Sequence, residues 1–113
     1  MLEFEQILKV FFSDHGSKQG LLTNLRAAKA WSRQRVDENL AIGEAYLEGH
    51  GPFPERLAVI LLMATFMSDF ARLVGEWAQW AESVVAGWPP DAGKAKPDLR
   101  ALTALIEKDR AYV

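Results

Sequence analysis

The chain has 113 residues, of which 50% are hydrophobic and 25% charged, the composition of one ordinary globular domain. Its formal net charge of −2 excludes the basic footprint that a protein needs to bind nucleic acid by its own phosphate contacts. The absence of cysteine excludes disulfides and thiol chemistry, and together with an acidic N-terminus unlike a secretory signal it predicts a cytoplasmic protein.

The first predicted helix covers residues Leu2 to Phe12, where large apolar residues recur at the spacing of one helical face. Gly16 suits the left-handed position that ends a helix, and Asp14 or Ser17 can cap the helix that follows. The apolar face of this first segment consists of Phe4, Ile7, Leu8, Phe11 and Phe12.

The second predicted helix runs from about Lys18 to Glu48, with apolar or small residues at every third or fourth position. This spacing is typical of coiled-coil helices. Gly43 belongs to the stripe, which predicts that another backbone approaches closely there. The segment Gly49–Pro52 then ends the helix, because glycine and proline interrupt helical backbone. The stripe consists of Leu21, Leu25, Ala28, Ser32, Val36, Leu40, Gly43 and Leu47.

The third predicted helix runs from Pro54 to Trp88 without an internal proline. At ~1.5 Å per residue such a helix is ~52 Å long, whereas a compact domain of this size has a diameter of ~34 Å. A helix this long and apolar needs other helices along its whole length, and we expect a second copy of the chain to supply them. The uncharged run from Leu57 to Ser68 is shorter than the ~20 residues of a membrane span, so we interpret it as a buried core helix.

Two apolar faces emerge when the residues of the third predicted helix are placed at ~100° steps. One face carries large residues and the other small ones, so a neighbouring helix is expected to approach closely on the small side. Because no clean polar strip interrupts its first half, the Leu57–Phe70 half is predicted to be the more deeply enclosed. The large face consists of Val59, Leu62, Met63, Phe66, Phe70, Leu73, Trp77, Trp80, Val84 and Trp88. The small face consists of Ala64, Ala71, Gly75 and Ala78.

The C-terminal tail, residues 91–113, is predicted to begin with a linker from Asp91 to Pro97 that is rich in Gly, Ala and Lys. A short final helix follows from Asp98 to Arg110. Its predicted buried stripe consists of Leu99, Leu102, Leu105 and Ile106.

Residues that could carry chemistry are sparse and scattered. His15 and His50 each lie beside glycine in a predicted loop and have no partners at metal-ligand spacing. The carboxylates and serines form no acid–base pair or nucleophile–base arrangement, so we predict no catalytic residue, no metal site, no cofactor and no enzymatic activity. Arg26, Lys29 and Arg33 form a basic stripe, which we interpret as a solvated face paired with acidic neighbours rather than a phosphate contact.

The third predicted helix supplies the candidate binding residues. An aromatic stripe at helical spacing favours core or dimer interface, and it can also line a pocket for a planar hydrophobic ligand. The two interpretations are compatible, because a dimer interface can enclose a pocket. The candidates for the dimer interface or core are Leu57, Ile60, Leu61, Ala64, Phe66, Phe70, Leu73 and Trp77. The candidates for contact with a hydrophobic ligand are Phe66, Phe70, Trp77 and Trp80.

Three sequence segments resemble the C-terminal domain of PadR-like transcriptional regulators, especially the longer subgroup that includes the AphA-type virulence activators. They are Leu8–Phe12 (Leu-Lys-Val-Phe-Phe), the turn Gly49–Leu57 with its Pro-Phe-Pro-Glu-Arg-Leu, and Glu76–Glu82 (Glu-Trp-Ala-Gln-Trp-Ala-Glu). The resemblance covers about residues 1–90, and the tail 91–113 lies outside it.

The resemblance implies an elongated, all-α, antiparallel and coiled-coil-like homodimer, with two long helices and shorter flanking ones, acting as a dimerisation domain in transcription. Some members of that family bind small hydrophobic effectors near the dimer interface, which makes such a compound a candidate partner. In such regulators an N-terminal winged helix binds DNA. We expect that domain to be absent here, so that DNA is a partner only through a separate winged helix. Two other hypotheses remain: a stand-alone helical protein that heterodimerises with regulators, and a carrier of small hydrophobic ligands.

Overall fold

The computed structural model describes residues 17–113, and three α-helices contain most of them. They are α1 (Lys18–Leu47), α2 (Leu57–Ala86) and α3 (Leu99–Tyr112), with short 3₁₀ helices at Pro54–Arg56 and Ala92–Lys94. Residues 17–113 contain no β-strand longer than an isolated bridge, so the predicted all-α class is confirmed. The predicted helix Leu2–Phe12 and His15 lie outside the described residues.

Helix α1 begins and ends close to its predicted bounds. The Ser17 hydroxyl accepts a hydrogen bond from the Gly20 amide at 3.0 Å, so Ser17 is the N-cap that the sequence allowed. Gly49 follows the C-terminal end with a φ of 84°, a left-handed conformation that costs glycine little.

The turn between α1 and α2 is held by Tyr46. Its hydroxyl donates to the carbonyl of Pro52, and a Cβ at Gly51 would lie 2.1 Å from its ring, so only glycine fits there. Phe53 then adopts a φ of 53°, which is unusual for a large residue. Helix α2 runs from Leu57 to Ala86 without a break and is ~45 Å long.

Helices α1 and α2 form an antiparallel hairpin with a core at one end only. The buried residues of α1 lie in its first half, and those of α2 lie in its second half, so the core is at the end remote from the turn. In α1 they are Leu21, Leu22, Leu25, Ala28 and Ser32. In α2 they are Ala71, Val74, Ala78 and Val85.

The two helices approach each other closely at Gly75, on the predicted small face of α2. The Ser32 hydroxyl donates to the Ala71 carbonyl at 2.6 Å, and a Cβ at Gly75 would lie 2.3 Å from that hydroxyl oxygen. Ala71 and Ala78 are fully buried beside this contact, which confirms that the small face admits a neighbouring helix. The same prediction for Gly43 is wrong within residues 17–113, because no atom lies within 4 Å of a Cβ placed there.

The first part of the predicted linker is fixed to the core end of the hairpin. Lys18 donates its backbone amide to the Pro90 carbonyl and its ammonium to the Ala86 carbonyl, both at 2.8 Å. Ser17 and Asp91 pair as antiparallel extended residues, and Ala92 is buried. The tail is therefore anchored as far as the 3₁₀ helix Ala92–Lys94, level with the C-terminal end of α2.

Helix α3 is well formed, yet it packs against neither α1 nor α2. The Asp98 carboxylate caps it by accepting from the Arg100 and Ala101 amides at 3.0 Å. All of its residues are exposed, so the prediction of a buried stripe is wrong for the single chain. The four stripe residues, each at least two-fifths exposed, are Leu99, Leu102, Leu105 and Ile106.

The molecule is elongated, as predicted. Its radius of gyration is 17.9 Å and its principal extents are 54 × 33 × 21 Å. A compact domain of this length would have a radius of gyration of ~13 Å. Among the described residues, this elongated hairpin leaves many large apolar side chains exposed.

Candidate dimerisation interface

The large face of α2 forms an apolar stripe that the rest of residues 17–113 leaves uncovered. The most exposed members include Leu62 at 75% and Phe66 at 62%. Soluble monomers rarely expose contiguous apolar patches larger than a few hundred Å², and larger patches mark interaction sites. We name this surface the α2 stripe, and its exposed members are Val59, Leu62, Met63, Phe66, Leu73, Trp80 and Val84.

The turn end of the hairpin extends this apolar surface, contrary to the sequence prediction. The Leu57–Phe70 half of α2 contains no buried residue, and the stripe residues Leu40 and Leu47 in the second half of α1 are exposed as well. The prediction that this half is the more enclosed is thus wrong within the described chain. Other exposed apolar residues at this end are Leu40, Ile42, Leu47, Phe53, Leu57 and Leu61.

The eight predicted interface residues lie on two different faces of α2. One group lies on the face of α2 that contacts α1 at Ala71 and Ala78, but nearer the turn. Its members are Leu57, Ile60, Leu61 and Ala64. The other group lies on the large face, and its members are Phe66, Phe70, Leu73 and Trp77. Ile60, Phe70 and Trp77 are half-buried and the remaining five are exposed, so the single chain leaves most of this set available to a partner.

The predicted ligand residues form a partly ordered aromatic row. The rings of Phe66 and Phe70 stack with centroids 6.4 Å apart and an interplanar angle of 7°. Phe70 also meets Trp31 of α1 edge-on at 6.1 Å. Trp77 is half-buried against the core, whereas Trp80 is largely exposed. The row presents flat apolar surface on the outside of the hairpin, and a second protein surface would be needed to enclose a ligand there.

A polar groove lies between α1 and α2 on another side of the hairpin. Glu82 of α2 accepts from Lys29 at 3.0 Å and lies 3.5 Å from Arg26, both on α1. The hydrogen bond from Lys29 is the main reason that the pKa of Glu82 is lowered from 4.5. Two of the three residues in the predicted basic stripe are therefore paired with a carboxylate, as the sequence interpretation expected.

The remaining residues of this groove mix both signs of charge. Arg33 shares it with Glu38, which binds Arg35 at 3.1 Å, and Arg72 pairs with Asp69 one turn away. Such a balanced surface does not have the positive potential of a phosphate-binding face. His50 is exposed in the turn, and residues 17–113 contain no group of three metal-ligating side chains.

The segment Pro54–Ala86 is long and apolar enough to cross a membrane by length and composition, with a mean hydropathy of 1.9 over its most apolar window. Only 11% of that window is buried inside the chain. A membrane span here would contain charged residues, however. The uncharged run is followed by Asp69 and Arg72 and is shorter than the ~20 residues of a span. The second half of α2 is also packed against the charged helix α1.

Searches of protein-family models, of curated proteins and of solved structures give no significant match to this chain.

Two contacts between α1 and α2 could not be assigned from the sequence. Trp31 was not assigned a partner, although its spacing from Ser32 and Ala28 places it at the edge of the α1 face that contacts α2. Glu82 was treated as one of several scattered carboxylates. Its position opposite the basic stripe follows from the register of the hairpin, and the spacing within either helix alone does not encode that register.

Proposed function

We propose that this chain is the dimerisation domain of a PadR-like transcriptional regulator and that it pairs with a second copy through the α2 stripe. The observation that carries the proposal is the stripe itself: a 30-residue helix whose large residues point away from the chain's own core. The resemblance of residues 1–90 to the PadR-like C-terminal domain supplies the biological role.

The energetics favour burial of this surface against another protein. Fully burying one large aliphatic or aromatic side chain contributes about 1.5–3 kcal/mol, and the stripe residues have most of that contribution still to gain. Stable protein interfaces bury roughly 800 Å² on each partner. The stripe and the apolar turn end together run along one side of a ~45 Å helix, which offers a surface of that order.

A dimer of this kind would act through geometry. A two-fold axis fixes the separation and orientation of two attached DNA-binding heads, and the spacing of the operator half-sites follows from it. The aromatic row Phe66–Phe70 lies on the same face, so a hydrophobic effector bound between the two copies would contact both. Such a ligand changes the spacing of the heads only if it binds one arrangement better than another.

The test is to attach the chain to a DNA-binding domain that occupies its palindromic operator only as a dimer. We expect the fusion to bind the operator and Phe66→Asp to abolish binding, because an unpaired carboxylate would enter the buried interface. Gln79→Asp is the matched control, since Gln79 is exposed and lies on the polar side of α2. The proposal is refuted if the wild-type fusion does not bind the operator. It is also refuted if the Phe66→Asp and Gln79→Asp fusions bind the operator equally well.

The alternative of a stand-alone partner that heterodimerises with regulators uses the same surface. An in-frame winged helix encoded upstream of Met1 would favour the regulator domain over this alternative. The alternative of a hydrophobic-ligand carrier is favoured by the exposed aromatic row, and its measurement is quenching of tryptophan fluorescence by planar aromatic compounds. Saturation at one site per dimer, with loss in Phe66→Asp, would support a ligand role.

A further inference from the structure

We propose that helix α3 of one copy packs in trans on the Leu57–Phe66 part of α2 in its partner, so that the C-terminal tail completes the dimer interface. This inference rests on the proposed dimer and adds to it the element that covers the turn end. It assigns a role to the tail, residues 91–113, which the family resemblance does not reach.

On its own, helix α3 would be only marginally stable. Helices of about 12–15 residues are marginal in water unless they pack against something. Helix α3 has 14 residues, an Asp98 cap and no internal glycine or proline, yet all of its residues are exposed. Its apolar stripe needs a partner surface.

The apolar stripe of α3 and the exposed α2 surface near the turn match in length and in apolar character. The α3 stripe spans the eight residues Leu99–Ile106. The exposed part of the α2 stripe near the turn spans the eight residues Val59–Phe66. Each of these two helical segments is ~10 Å long and presents four large apolar side chains on one face. Neither segment has a charged residue on that face.

Helix α3 cannot reach the turn end of α2 within its own chain. The tail is anchored as far as Lys94, level with Ala86 at the end of α2. From Lys94 the extended residues 95–98 allow Leu99 to lie at most ~18 Å away, so the centre of the α3 stripe is within ~23 Å of the anchor. The centre of Val59–Phe66 lies ~35 Å along α2 from Ala86. The chain's own tail therefore cannot cover it.

In an antiparallel dimer, the tail of the second copy begins close to the turn end of α2. A two-fold axis near the midpoint of α2 brings Ala86 of the second copy level with Leu57, so that the second copy's anchored tail begins ~8 Å along the axis from the centre of Val59–Phe66. That is well inside the reach of α3. A parallel dimer would leave both tails at the far end, so the tail contact also specifies the direction of pairing.

Cross-linking between two differently tagged versions of the full-length chain tests the inference. The protein has no cysteine, so Leu62→Cys in one version and Leu102→Cys in the other introduce one thiol each. After mixing and mild oxidation, we expect a disulfide that joins the two tags. Ala104→Cys is the matched control, because Ala104 lies on the opposite face of α3, and we expect it to give far less cross-link with Leu62→Cys. Equal cross-linking by both cysteines would overturn the inference.

A second measurement separates this inference from the dimer itself. Leu102→Asp should raise the dimer dissociation constant about ten-fold or more, whereas Ala104→Asp should leave it nearly unchanged. Both positions are exposed in the single chain, so both variants are expected to retain the helical circular dichroism spectrum. If Leu102→Asp leaves the dissociation constant unchanged while Phe66→Asp abolishes the dimer, the tail contact is overturned and the proposed function stands. A monomeric wild type overturns both.

Discussion

Gly75 and Ser32 show how single residues set the distance between the two helices. The hydroxyl of Ser32 is already committed to the Ala71 carbonyl, and the missing side chain of Gly75 leaves space for it. The small face of α2 made this approach predictable, but the residue opposite it was not, because one helix does not specify its register against another.

Gly75→Ala should destabilise the fold by about 1–2 kcal/mol. Its Cβ would lie 2.3 Å from the Ser32 hydroxyl oxygen and 3.0 Å from the Ser32 Cβ, and overpacking of this kind outweighs the gain in helix propensity. Gly43→Ala is the control: nothing lies within 4 Å, so it should stabilise by about 0.5–1 kcal/mol. Urea denaturation of both variants measures the two shifts, and effects of equal sign would contradict the packing described here.

Glu82 is expected to make stability depend on pH. Its hydrogen bond from Lys29 lowers its pKa in the folded state, so its contribution is present above 4.5 and is lost as the pH falls through the lowered value. The melting temperature of Glu82→Gln should therefore lie below that of the wild type at neutral pH, and the difference should vanish in acid. Thermal denaturation followed by circular dichroism between neutral and acidic pH measures it. A difference that persists in acid would show that the ion pair is not its cause.

At the scale of the helices, the sequence predicted where each helix begins and ends better than it predicted which residues are buried. Ser17, Gly49 and Asp98 are local signals, and each lies where the sequence indicated that a helix begins or ends. Burial depends on which elements meet, and so the enclosed half of α2 and the stripe of α3 were both predicted wrongly for the single chain. An apolar face shows that a helix needs a partner and gives no information on whether the partner belongs to the same chain.

Helix α2 is expected to keep the protein in water and out of the bilayer, despite its hydropathy. Asp69, Arg72 and the Lys29–Glu82 pair would each have to be desolvated for a span to form. In a flotation assay with phospholipid vesicles, we expect the wild type to remain in the dense fraction. If the wild type floats with the vesicles and Phe66→Asp floats less, the α2 stripe binds lipid instead of protein.

For the whole molecule, the elongated shape and the one-sided core have a common explanation. Within residues 17–113, the hairpin buries Leu21, Leu25, Ala71 and Ala78 at its core end and leaves the α2 stripe and the turn end exposed. The length of the third predicted helix indicated this from sequence alone, because no compact fold of 113 residues could enclose it. The position of the tail could not be predicted, since it depends on the anchor formed by Lys18 and Pro90.

Sedimentation equilibrium of the wild-type chain across low to high micromolar concentration tests the central claim most directly. The account predicts a species of twice the 12.6 kDa chain mass at the higher concentrations, dissociating on dilution. A single species at 12.6 kDa throughout that range would contradict it, because the α2 stripe would then be stable in water without a partner.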